Sequence, residues 1–253
     1  MHPILVQFGS FSIKTYGFLI ATGFLLGITL AVSEAKRLDY NPQIILDLSF
    51  YIIVGAIVGS RLFYIATNLS YYIQNPLDMF KVWQGGLVFF GGFILSFAIC
   101  IWMIKRNQLS IWKTLDLFAP SLAVGVFFGR LGCFSAGCCY GKPCSLAWAV
   151  TFTNPESLAR LHVPLHPSQL YSSLGALITF LILFAFRKRK SFDGQLCLMW
   201  MFFYSGFRSI IELFRGDVRG DLWFGHYATS QILAWLLVVG SVVMFLILKK
   251  RKT

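Results

Sequence analysis

Charge is scarce in this chain of 253 residues, where Asp, Glu, Lys and Arg make up only 13%, against about 25% in soluble domains. Acid is scarcest: 10 Asp and Glu stand against 22 Lys and Arg, a formal net charge of +12. The alternation of strand and helix patterns between polar loops that marks a soluble α/β enzyme is missing. So are the glycine-rich phosphate loops and dinucleotide fingerprints, and no soluble cofactor is implied. No CxxC pair occurs, which argues against a zinc knuckle or a dithiol redox motif. The positive charge forms no basic face and no recognition motif, which argues against nucleic acid as a partner. Neither a 20–50-residue repeat nor a low-complexity segment is visible.

What the chain has is apolar length. It is 57% hydrophobic, with a mean hydropathy of +0.70. About 20 apolar residues cross the ~30 Å hydrocarbon core as a helix. Seven such runs can be placed, near Tyr16–Ser33, Ile45–Ala66, Gly86–Ile104, Leu115–Phe134, Ser168–Phe186, Leu196–Leu213 and Thr229–Leu248. The expectation is an all-α integral membrane protein, one polytopic domain over residues 1–253. Its first helix is retained, since no small-residue cleavage site follows it.

Thirteen of the 22 Lys and Arg form clusters: Lys36-Arg37, Lys105-Arg106 with Lys113, Arg187–Lys190 and Lys249–Lys252. The clusters follow runs 1, 3, 5 and 7, so seven crossings put them all on one side. The positive-inside bias makes that side cytoplasmic, with the N-terminus outside and the C-terminus in the cytoplasm. The outer loops are then 67–85, 135–167 and 215–228. Trp83, Trp148 and Trp223 in them suggest short helices lying at the membrane interface.

Ionisable residues inside a membrane are expensive and signal function. Arg61, Arg130 and Arg208 lie late in outward-running spans, with Glu212 the one acid near them. Tyr204 and Glu212 sit one turn either side of Arg208 and share its face. Tyr16, Gly85-Gly86, Gly91-Gly92, His166, Gln169 and Tyr171 reach the same outer level. The bland alternative is that each Arg snorkels to the headgroups or pairs with Glu212. Surplus positive charge at one depth points to an anionic ligand, and a phospholipid phosphate suits the planar guanidinium fork. Gly55 and Gly125 read as helix-packing positions. Gly129 and Gly132 flank Arg130, where they would also leave room for a headgroup.

Cys100 and Cys197 read as ordinary buried residues. Cys133, Cys138, Cys139 and Cys144 fall within 12 residues at the outer surface, where one or two disulfides are the leading expectation. No metal is expected. A reactive thiol is the alternative, since Arg130 nearby favours a thiolate. Pro164 and Pro167 argue against a two-His metal site at His162 and His166.

These residues fall into an order that resembles the prolipoprotein diacylglyceryl transferase family over nearly the full length. Gly129-Arg130-Leu131-Gly132-Cys133-Phe134 through Gly141 resembles the family signature. His166-Pro167-Ser168-Gln169-Leu170-Tyr171 resembles a second motif. A third is Tyr204-Ser205-Gly206-Phe207-Arg208 with Glu212-Leu213-Phe214-Arg215. Smaller matches lie at Tyr16-Gly17, Gly59-Ser60-Arg61, Gly85-Gly86-Leu87 and Gln231-Ile232-Leu233. The chain departs from the pattern at Phe90, where the family usually has His. It departs again at Cys133 for Asn, Cys138 for an acid and Ser172 for Glu, which leaves the general base unassigned.

The resemblance implies a bacterial inner-membrane enzyme that moves a diacylglyceryl group from phosphatidylglycerol to the lipobox cysteine in the signal peptide of a prolipoprotein. Membrane lipids surround it, and no cofactor takes part. Arg130 and Arg208 would hold the phosphate, with Arg61 a weaker third. Tyr16 and Tyr204 would orient headgroup oxygens, Glu212 would position Arg208, and Gln169 would contact the headgroup. His166 is the one histidine placed to act as a base. The rivals are an anion transporter, a membrane thiol oxidoreductase using the outer cysteines, and a non-catalytic or substrate-shifted relative.

Overall fold

A computed structural model describes residues 2–9, 11–81, 85–216, 222–223 and 227–252. Trp83 and His226 lie outside the described residues, and Trp223 is described by its backbone alone. The elements in chain order are β1 (Ile4–Phe8), β2 (Phe11–Lys14), α1 (Thr15–Arg37), α2 (Pro42–Thr67), α3 (Leu69–Gln74), a 3-10 turn at Pro76–Phe80, α4 (Phe89–Arg106) and α5 (Ile111–Ala136). They continue with β3 (Val150–Thr151), β4 (Pro164–Leu165), α6 (Ser168–Phe186), α7 (Gln195–Glu212), β5 (Leu222–Trp223), β6 (Tyr227–Ala228) and α8 (Thr229–Lys252). The strands form three separate two-stranded antiparallel pairs.

Six of these helices, α1, α2, α4, α5, α6 and α8, are long and apolar enough to cross a bilayer. The seventh expected span is the helix α7, whose 18 residues carry Arg208 and Glu212 and fall short on hydropathy. Their outer faces are apolar: Leu25, Phe50 and Leu236 are each more than 60% exposed. Lipid is the solvent such faces fit.

Two compact units divide the chain, one of residues 1–31 with 115–253 and one of residues 32–114. In the smaller unit α2 packs on α4 through glycine. A Cβ at Gly59 would run into the Gly91 carbonyl and Leu95, and one at Gly92 into Ser60 and the Ala56 carbonyl. Small residues let two helix backbones meet where lipid supplies no hydrophobic drive. Gly55 behaves as expected, with Ile99 against it. Helix α4 starts at Phe89, three residues after the expected Gly86. Gly85 and Gly86 have φ of 91° and 71°, left-handed values no helix accommodates.

Between α2 and α4, helix α3 and the 3-10 turn leave Leu69, Ile73, Leu77 and Phe80 more than half exposed. Lys81 and Tyr71 both hydrogen-bond to Asp78 and hold its carboxyl below the usual range.

In the larger unit Ala119, Ala123, Leu183 and Leu196 form a buried core, with Phe180, Met199 and Trp200 against it. Asp116, 1% exposed, anchors one end of it. It accepts hydrogen bonds from Lys190 Nζ, Gly194 N and Cys197 N, each at 2.9 Å. One lysine of the third basic cluster is thereby ion-paired. The long segment between α5 and α6 contains no helix, contrary to the expectation of an interfacial helix there. It packs around a small core against Phe134 of α5, with Phe152 and Leu165 at or below 1% exposure beside the β3–β4 pair.

An arginine cleft and a thiol cluster

Helices α5, α6 and α7 line a narrow cleft. Arg130, Ser172, Tyr204 and Arg208 line it, with Ala123, Val126, Ala176 and Phe207 among its apolar walls. The two arginines singled out in sequence thus share one cavity, 78 residues apart in the chain.

Their partners differ. Arg208 Nη1 lies 2.7 Å from Glu212 Oε2 one helical turn away. That approach lacks the alignment of a hydrogen bond, since neither atom has a hydrogen-bond partner. Ser230 Oγ donates to the other Glu212 oxygen at 3.1 Å. Arg215 adds its Nε at 3.9 Å from Glu212 Oε2, its side chain only 4% exposed. Arg130 makes no hydrogen bond or ion pair among the described residues, although it lies within electrostatic reach of Arg208. Arg208 and Arg215 therefore both approach the Glu212 carboxylate. Arg215 was not singled out in sequence as a site residue, though its position three residues after Glu212 in the third motif was a usable signal.

Tyr204 stacks on Trp200, with ring centroids 5.2 Å apart and planes 8° apart. Tyr16 is 42% exposed, within electrostatic reach of Arg130, Cys133, Cys138 and Cys139. Gly132 makes that approach geometrically available. A Cβ there would meet Tyr16 at 3.1 Å, and one at Gly129 would meet Ile20 at 3.6 Å. The two glycines beside Arg130 thus serve the packing of α1 on α5. Gly23 serves it too, since its Cβ would meet Phe128 at 2.9 Å, while Gly125 faces open space.

Arg61 belongs to the smaller unit. It is 7% exposed and clamps a loop of the smaller unit. Its Nε donates to Met79 O, Nη1 to Gly85 O and Gly86 O, and Nη2 to Asp78 O, at 2.6 to 3.2 Å. Tyr64 and Tyr72 lie against the guanidinium. Four of its five N–H donors are thus spent on carbonyls, which no local sequence pattern reveals.

His166 and Gln169 each make specific local contacts. His166 Nδ1 lies 3.2 Å from the Tyr171 hydroxyl, which accepts from Trp148 Nε1 at 2.8 Å. The imidazole packs on Phe214, and its contacts are with these rings rather than with cleft-lining residues. Gln169, 1% exposed, gives its Nε2 to Cys138 O at 2.8 Å. Phe90 is 57% exposed.

All six cysteines are free thiols. Cys133, Cys138 and Cys139 bring their Sγ atoms within 4.8 Å of one another, while Cys144 is not in the group. The Cys138 thiol, just past the end of α5, is pushed up by hydrogen bonding with Cys133 and Cys139 and then by burial.

Comparison with known proteins follows the same residues. The family model described as prolipoprotein diacylglyceryl transferase matches residues 3–247. The phosphatidylglycerol–prolipoprotein diacylglyceryl transferase of Clostridium tetani is 35% identical over 254 residues, covering 100% of both chains. The protein of that name from Finegoldia magna is 34% identical, covering 97% of this chain and 96% of its own. The one from Listeria innocua is 30% identical, covering 96% and 88%.

Proposed function

The chain belongs to the prolipoprotein diacylglyceryl transferase family, and from that premise we propose that its Arg130–Arg208 cleft transfers the diacylglyceryl group of phosphatidylglycerol to the lipobox cysteine of a prolipoprotein. The observation that carries this is that Arg130, with no ion-pair partner among the described residues, shares a cavity with Arg208, which is paired with Glu212.

The chemistry follows from the charge. The thiolate sulfur of the incoming cysteine attacks the glyceryl carbon attached to the phosphate oxygen. The C–S bond forms, the C–O bond breaks, and the phosphate keeps the electron pair. Glycerol phosphate leaves, its charge rising from about one to about two negative units. Donors aimed at that oxygen gain most in the transition state, and such gain accelerates the step. Arg130 is the primary donor and Arg208 the second. Glu212 fixes the Arg208 rotamer, and Ser230 and Arg215 fix Glu212. Tyr204, held flat by Trp200, and Tyr16 donate to glyceryl and headgroup oxygens. The acyl tails leave sideways between helices into the bilayer.

The arrangement in the bacterial inner membrane is the one the basic clusters dictate. The clusters end α1, α4 and α8 and follow α6. With α7 as the seventh crossing they share the cytoplasmic side, and the cleft opens toward the outer leaflet, where the substrates are. Helix α7 crosses despite its charge because Arg208 is ion-paired to Glu212 within the helix bundle. The deciding experiment is incubation of purified protein with phosphatidylglycerol and a lipobox peptide. Release of glycerol phosphate together with a thioether on the peptide cysteine supports the reading. Intact lipid and peptide with folded protein would refute it.

A further inference from the structure

The thiol cluster is built, not incidental. Cys133 lies in the last turn of α5 and faces back along the helix toward Arg130, three residues earlier. The chain then turns at Gly137, with φ of 76°, and again at Cys139, whose φ of 61° is unusual for a residue with a side chain. A Cβ at Gly137 would strike the Ser157 hydroxyl, so the turn is confined from outside. Two side chains at the start of α6 hold the Cys138-Cys139 backbone. Ser168 Oγ donates to Cys139 O at 2.7 Å and Gln169 Nε2 to Cys138 O at 2.8 Å. Both are at most 2% exposed. Buried hydrogen bonds behind a ligand loop orient metal ligands in just this manner.

Three thiols converge on one point. A disulfide uses two of them and leaves the third over. Zn–S bonds of about 2.3 Å in tetrahedral geometry put sulfurs about 3.8 Å apart, which sulfurs within 4.8 Å of one another reach by small rotations. A divalent ion with three thiolates carries one net negative charge, and Arg130, without an ion-pair partner among the described residues, offsets it.

We propose that Cys133, Cys138 and Cys139 form a three-thiolate site for a thiophilic divalent cation of the zinc class, whose remaining position takes the thiol of the cysteine to be modified. The second half rests on the transferase reading. Three protein ligands and one exchangeable position are the pattern of catalytic zinc, and a coordinated thiol is deprotonated outright. The incoming thiol gives its proton to solvent on binding. Its sulfur then forms the C–S bond as the C–O bond to phosphate breaks, and the ion keeps its oxidation state throughout.

Cobalt(II) is the probe. Reduced purified protein titrated with it should bind one ion per chain and show the visible and near-ultraviolet bands of tetrahedral cobalt–thiolate. Cys144→Ser should leave the bands in place, while Cys133→Ser, Cys138→Ser and Cys139→Ser should each abolish or shift them. A lipobox peptide should change the spectrum, and its Ser-for-Cys counterpart should not. The wild-type titration needs no variant, so misfolding of one does not blunt the test. No stoichiometric binding, unchanged bands in Cys138→Ser, or a spectrum indifferent to the peptide cysteine would overturn the proposal. So would a disulfide among the three in protein isolated from membranes with thiols blocked. The cobalt bands require no lipid and glycerol phosphate release requires no metal readout. Full-rate release by metal-stripped protein therefore overturns the metal site alone and leaves the transferase reading standing.

Discussion

Arg208 is held by Glu212 at 2.7 Å, whereas Arg130, lining the same cleft, has no such partner among the described residues. On the proposed reading the pair divides the labour of phosphate binding, one guanidinium fixed in advance by a carboxylate and the other left for the ligand. Removing the fixing group tests this. Glu212→Gln keeps an acceptor for Ser230 but loses the charge, so Arg208 should lose its orientation. Transfer should fall by about tenfold or more in protein that still purifies as a folded monodisperse species. Unchanged turnover would mean that Arg208 is positioned by something else.

Arg61 should behave as a stability residue. Charge-assisted hydrogen bonds each contribute about 1.5–3 kcal/mol, and Arg61 makes four to the carbonyls of residues 78–86. Arg61→Lys retains the charge but reaches few of these acceptors. The expected loss is about 3 kcal/mol or more, read as a lower midpoint in thermal unfolding. Activity per folded molecule should stay near normal. Collapse of turnover with unchanged stability would return Arg61 to the headgroup.

Asp116 should be among the most costly substitutions far from the cleft. Asp116→Ala strands the Gly194 and Cys197 N–H groups and leaves the Lys190 ammonium, 15% exposed, without its buried partner. Breaking a buried pair in this way costs about 3–5 kcal/mol. Thermal unfolding in detergent measures it, and a change within error would show that water replaces the carboxylate.

Topology is open to direct measurement. Reporters fused after Lys190 and Lys250 should read cytoplasmic, and one inserted within Asn154–Leu161 should read outside. A cytoplasmic signal from the middle loop would sink the outward-facing cleft.

The helices could be read from sequence because each rests on a local property, a run of apolar residues, with a basic cluster after every second one. Arg130 and Arg208 stood out because charge inside an apolar run is conspicuous. What sequence concealed is long-range. Arg61 resembled the other two in every local respect, and only the carbonyls of Met79 and Gly85 reveal its use. Helix α4 starts later than its apolar run suggests because Gly85 and Gly86 take positive φ, Gly86 against Tyr64 and Arg61. The four outer cysteines suggested bridges by number and compartment. Their grouping into three and one depends on how Ser168 and Gln169 fold the loop back.

The central claim is that two guanidinium forks act on one phosphate. Measure initial rates of glycerol phosphate release for Arg130→Lys and Arg208→Lys against wild type, at equal amounts of folded protein. Lysine keeps the charge and snorkels as well as arginine, but it cannot hold two phosphate oxygens at once. Each variant should be slower by about 10²–10³. Near-normal rates in both would contradict the clamp and leave the two arginines as structural residues.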